Sequence, residues 1–220
     1  MTTSPTPRRS NSIEAAAVAG LLFAVLYIVG ATLLNSAPRP SASEAEVTDW
    51  FAESGNRTSL TTGLSLMVFA AVAFLWFVAV IRRRVGERED KFFATVFLGS
   101  GILLAGVFLV GASAMASPAV LVDLADGRPL DADVLTALSG LGSTLLLSVV
   151  LRVQAVFVIS TSTITLRSNA FNPLFSYLGY AVALLMFFIP IISEPLGLAF
   201  PIWVAILSVA MFARRNEIAA

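Results

Sequence analysis

Six apolar runs separated by short polar breaks organise this chain: 15–34, 59–81, 92–116, 134–166, 173–192 and 196–213. A helix rises 1.5 Å per residue, so about 20 apolar residues are needed to cross the hydrocarbon of a bilayer. Composition points the same way, with 57% of residues hydrophobic and 13% charged, where a soluble domain carries roughly 25% charged. A protein core cannot absorb that much apolar surface in 220 residues, whereas lipid can. The expected fold is all-α: a polytopic transmembrane helix bundle of about six spanning helices. Residues 1–12, rich in Ser, Thr, Pro and Arg, are expected to be a disordered cytoplasmic N-terminus. Residues 13–215 form the transmembrane domain, and 216–220 a cytoplasmic tail.

The first run is too long for the core of a cleaved signal peptide and is read as an uncleaved helix, with Asn11 and Glu14 resembling a capping pair at its start. The fourth run is longer than one span needs, yet two spans would each be too short. One long helix is expected there, capped by Asp133 and ended by Arg167-Ser168-Asn169.

The basic residues set the orientation. With the N-terminus inside, the inner segments hold Arg8, Arg9, Arg82, Arg83, Arg84, Arg88, Lys91, Arg167, Arg214 and Arg215, and the outer segments only Arg39, Arg57 and Arg128. That bias is the positive-inside pattern, so the expected setting is the cell membrane, multi-pass, with both termini cytoplasmic.

Two short amphipathic helices are expected outside. In the first, Ser43 and Glu46 form a capping box, and Val47, Trp50 and Phe51 share a face, with Asp49 and Glu53 toward water. In the second, Ser117-Pro118 opens a helix bearing Val120, Leu121 and Leu124, stopped by Gly127. The acidic outer residues, including Asp131 and Asp133, are read as caps and surface charge rather than a calcium site.

The chain has no cysteine and no histidine. Disulfides, thiolate nucleophiles, iron–sulfur clusters, Cys/His zinc sites and His-based triads are therefore excluded. No catalytic residue, cofactor or metal site is assigned. The best acid candidates, Glu14 and Glu194, belong to opposite faces and cannot act as a dyad. Formal net charge is zero and there is no nucleic-acid motif.

Arg152 is the one charge well inside an apolar run. Ser148 lies one turn before it, and Glu194, in the last outer turn, is the ion partner expected by depth. An intramembrane arginine costs about 2.5–3.5 kcal/mol on insertion scales. The functional reading of Arg152, Ser148 and Glu194 is an anion or lipid-headgroup site, or a gate. The plainer and favoured reading is a structural pair, or an arginine reaching for the outer interface. Thr95, Gly99, Gly106 and Ser113 form a small-residue stripe, with Gly101 and Ala105 beside it, all expected to pack within the monomer. Ser160 to Thr163 are expected to bond back to their own helix. Pro190, Pro195 and Pro201 are read as turn-shaping.

The segments GLLFAVLYIVGATLL (20–34), VTDWFAESGNR (47–57), FLWFVAVIRRR (74–84) and FPIWVAILSVAMF (200–212) resemble a group of uncharacterised bacterial, especially actinobacterial, multi-pass membrane proteins of unknown function. The resemblance implies the six-span architecture and offers no activity to transfer. The expected role is a structural or accessory membrane protein whose partners are the bilayer and either another membrane protein or a second copy. The rival is a small-solute or anion transporter with Arg152 in its pathway.

Overall fold

The computed structural model describes the backbone of residues 10–85, 91–126, 128, 130–168, 172–188 and 194–219, and side chains within 15–82, 92–126, 128, 130–168, 172–188 and 196–213. The described residues are helical, with no strand. The elements are α1 (Ser10–Leu34), α2 (Glu44–Ala52), α3 (Ser54–Val85), α4 (Lys91–Leu124), α5 (Ala132–Thr144), a π-helical turn (Leu145–Val149), α6 (Val150–Arg167), α7 (Pro173–Phe188), α8 (Glu194–Gly197) and α9 (Ala199–Ala219). Helix α1 begins at Ser10, which places Asn11 inside the helix rather than at its cap. Residues 1–9 lie outside the described ones.

Among the described residues, four helices are long and apolar enough to span a membrane: Ala15–Leu34, Ser54–Arg82, Phe92–Leu124 and Ala132–Arg167. The count of six is therefore corrected to four. The apolar helices Pro173–Phe188 and Ala199–Ala213 are shorter. At 1.5 Å per residue, the 16 residues of α7 reach about 24 Å, less than a hydrocarbon thickness of ~30 Å. The run 173–192 continues past Phe188 into residues outside the described ones, and the run 196–213 is divided between α8 and α9, a break that hydropathy does not register. Pro190 falls outside the described residues, as does the side chain of Pro195. Pro201 sits buried in the first turn of α9, where a missing N–H costs nothing.

α1 packs on α3 and α9, α3 on α4, α4 on α5 and α6, and α6 on α7. Gly30 and Gly63 bring α1 and α3 into backbone contact: a Cβ on Gly63 would fall 3.0 Å from the Gly30 oxygen. α9 runs antiparallel to α1, with Phe200 against Phe23 and Ser208 against Gly20. The start of α1 and the end of α9 therefore lie at one end of the bundle.

The fourth run is one continuous helical rod, as its length predicts, but with a π turn inside it. Its N-cap is Asp131 rather than Asp133; the Asp131 carboxylate accepts from the Asp133 N–H at 2.9 Å. The second outer helix does not exist as a separate element. Ser117 and Pro118 lie inside α4, which runs on to Leu124. Proline deprives the carbonyl four residues back of its donor, and here the Ser117 hydroxyl donates to that carbonyl, Ala114 O, at 2.8 Å. The orphaned acceptor is satisfied and the helix continues. Gly127 is outside the described residues; the chain turns instead through Asp126 at φ 51°.

The first outer helix is present. The Ser43 hydroxyl caps α2 by accepting from Glu46 N–H at 3.3 Å. Val47 and Phe51 are buried, Trp50 is half-buried and ring-packed on Phe51, and Asp49 and Glu53 are exposed. Arg57 ties this cap together. Its Nη1 donates to the carbonyls of Phe51 and Ala52 at 2.7 and 2.8 Å, and its Nε to Asp123 at the end of α4 at 2.6 Å. Arg57→Ala should loosen the cap by about 1–2 kcal/mol, mostly through the two carbonyl bonds, since Asp123 is half exposed and its ion pair is screened. A single cysteine at position 47 should then react several-fold faster with a polar maleimide. An unchanged rate means the cap is held by apolar contact alone.

Candidate functional site

Among the described residues, α6 carries more of the buried polar side chains than any other helix, in two groups separated by aromatic rings. Phe157 stands between them. Its ring lies 4.9 Å from Phe97, 5.1 Å from Phe74 and 5.9 Å from Phe200. Phe74 and Phe200 in turn pack on Phe23, at 4.9 and 5.8 Å. These rings come from α1, α3, α4, α6 and α9, and each is 1% exposed or less. They fill the level at which the helices converge.

On the α2 side of the aromatic layer, the Gln154 amide donates to the Tyr27 hydroxyl at 3.4 Å, both residues being buried. Gln154 Oε1 has no hydrogen-bond partner among the described residues. Sequence reasoning passed over this pair. The signal was available, since Gln154 is the chain's one glutamine and lies mid-run, but a search for charges does not find it.

Arg152 lies two residues earlier on a different face and is half-buried. Its Nη1 donates to Ser148 O at 2.8 Å and to Ser148 Oγ at 3.2 Å. The structure thus joins Arg152 to Ser148 as the spacing indicated. Ser148 sits in the π turn, a wider turn that recurs at functional sites. The tip of the last hairpin approaches this turn: Gly197 of α8 lies against the side chain of Leu147. The side chain of Glu194, the expected ion partner, is outside the described residues.

On the Arg167 side, α6 presents a hydroxyl seam to α7. Thr163 bonds Tyr180 at 2.7 Å and Thr165 bonds Ser176 at 2.9 Å. Ser160, Thr161 and Thr163 bond back to the carbonyls of Val156, Phe157 and Ile159, as expected of hydroxyls in an apolar helix. Ser162 does not. Its Oγ and the indole N–H of Trp203 are buried without partners among the described residues, and both flank Gly179. Trp203 escapes a sequence reading that counts tryptophan as apolar.

The small residues of α4 pack within the monomer only in part. Gly101 and Ala105 are buried, Gly101 against Phe157 and Val78. Thr95, Gly99, Gly106 and Ser113 are exposed, and a Cβ on Gly99 or Gly106 would meet nothing. Leu103 and Val110 stand exposed between them. Seven-residue spacing fixes that these positions share a face; it does not fix which neighbour the face meets. Among the described residues no group of acidic side chains is arranged to hold a metal ion. No family model matches the chain, and neither the curated proteins nor the solved structures yield a match.

Proposed function

We propose that the chain is a structural or accessory protein of the cell membrane that works through helix contacts with another membrane protein or a second copy of itself. The observation that carries this reading is the aromatic layer around Phe157. A transport path along the bundle axis must pass that level, and five buried rings occupy it. The open α4 face, where bare Gly99 and Gly106 alternate with exposed Leu103 and Val110, supports the contact role, because small residues let helix backbones approach closely in lipid. Kinship with bacterial multi-pass membrane proteins of unknown function belongs to the same proposal and rests on the four segments quoted above.

The rival reading, an anion or small-solute transporter with Arg152 in its path, draws support from the buried Gln154–Tyr27 pair and the unpartnered Gln154 Oε1. Single cysteines at 99, 103, 106 and 110 separate the two. Crosslinking of native membranes should capture a partner or a dimer at all four positions and not at Leu174 on the far flank. Anion flux in liposomes from the purified protein, with no crosslink on α4, would decide for transport.

Orientation is part of the proposal. Both ends of the described chain lie at the end of the bundle that carries Arg82 and Arg167, and the positive-inside pattern assigns that end to the cytoplasm. A reporter fused after Ala220 should read cytoplasmic, and one inserted beside Arg57 external. An external C-terminus means an odd number of crossings and defeats the topology.

A further inference from the structure

We propose that Arg152 and Ser148 form a binding site for the phosphate of a membrane phospholipid, in the leaflet on the α2 side of the bundle. The inference uses the membrane placement of the long helices and is independent of the partner reading. Depth comes first. Arg167 marks one boundary, and the 15 residues from Arg152 to Arg167 rise about 22 Å. In a hydrocarbon layer of ~30 Å, that leaves Arg152 within a side-chain length of the opposite interface. Direction comes second. Helical side chains lean toward the helix N-terminus, which for α6 is the α2 side. The guanidinium follows this lean, reaching back one turn to Ser148.

The donors come third. Nη1 is held by two acceptors, Ser148 O and Ser148 Oγ. Nε and Nη2 have no acceptor among the described residues, and no described carboxylate pairs with the group. Anchoring one nitrogen leaves further N–H donors of a planar fork free, and such a fork matches two oxygens of a phosphate. Arg152 is half-buried rather than enclosed, and Val149, one turn away, is exposed among the apolar surface residues. A phospholipid meets both demands: its phosphate answers the charge and its chains cover the apolar flank. A free anion answers the charge alone.

The test is native mass spectrometry of the purified full chain in detergent, titrated with phosphatidylglycerol and with a phosphate-free glucosyl diacylglycerol of the same chains. Wild type should retain phosphatidylglycerol and not the phosphate-free lipid. Arg152→Gln should weaken retention at least about tenfold, Arg152→Lys less, and Ser148→Ala a few-fold by releasing the anchored nitrogen. If Arg152→Gln does not fold, Arg152→Lys and Ser148→Ala carry the comparison. Glu194→Gln should change nothing; a tenfold gain there would show that a carboxylate already occupies the guanidinium. Equal retention by wild type and Arg152→Gln, or equal binding of the phosphate-free lipid, overturns the site. Displacement of the lipid by millimolar inorganic phosphate assigns the site to a free anion and overturns the lipid.

Discussion

Phe157→Ala should destabilise the bundle by about 3–5 kcal/mol, the range for truncating a buried phenylalanine when its surroundings relax only partly. In lipid the burial of apolar area drives folding less than in water, so the loss falls on packing contacts. Phe157 touches rings from three other helices, and none can follow it without leaving its own contacts. Phe157→Leu should recover most of the loss. Thermal unfolding in detergent, followed by circular dichroism, measures both. The same variant probes function: in liposomes it should carry no more anion flux than wild type. Flux that appears in Phe157→Ala and vanishes when Arg152→Gln is added would show that the rings gate a path.

The second large effect is expected at Gly142→Ala, which should cost about 3 kcal/mol. A Cβ there would fall 2.9 Å from the carbonyl oxygen of Gly111, on the facing helix, and nearer still to the backbone nitrogen of Met115. Backbone cannot step aside as a flexible side chain can, so α4 and α5 must separate along their contact. Intrinsic helix preference opposes this sign, since alanine is favoured over glycine by about 1 kcal/mol. Gly140→Ala, in the same helix with nothing within 4 Å, isolates that preference and should be neutral or slightly stabilising. Equal behaviour of the two variants would mean that the close approach at Gly142 contributes nothing.

The sequence made four of the spans legible because each is apolar over at least 20 residues, and the first cap because Ser43 and Glu46 stand at capping-box spacing ahead of an apolar face. The last hairpin misled for a physical reason. The run 196–213 is apolar throughout, but it is divided between α8 and α9, and hydropathy does not register that break. Pro118 misled in the opposite direction, since a proline that looks like a start becomes an interior residue once Ser117 satisfies Ala114 O. At the candidate site, Arg152 and Ser148 were visible as a charge and a hydroxyl one turn apart. The π turn that holds Ser148 was not, because nothing in Leu145–Val149 distinguishes a wide turn from an ordinary one. Ser162 and Trp203 stayed hidden because their significance lies in what fails to meet them.

The helices also differ greatly in length across the molecule. At 34 residues, α4 reaches about 51 Å, while α7, at 16 residues, reaches about 24 Å. Lipid chains bordering the two flanks cannot have one thickness without leaving apolar surface wet on one side or headgroups buried on the other. Placed in a bilayer, the protein would favour a thinner layer beside α7 than beside α4, and the strain of each ångström of mismatch is a fraction of a kcal/mol. Shorter-chain lipid would then border α7 and longer-chain lipid α4, the flank proposed above for helix contacts.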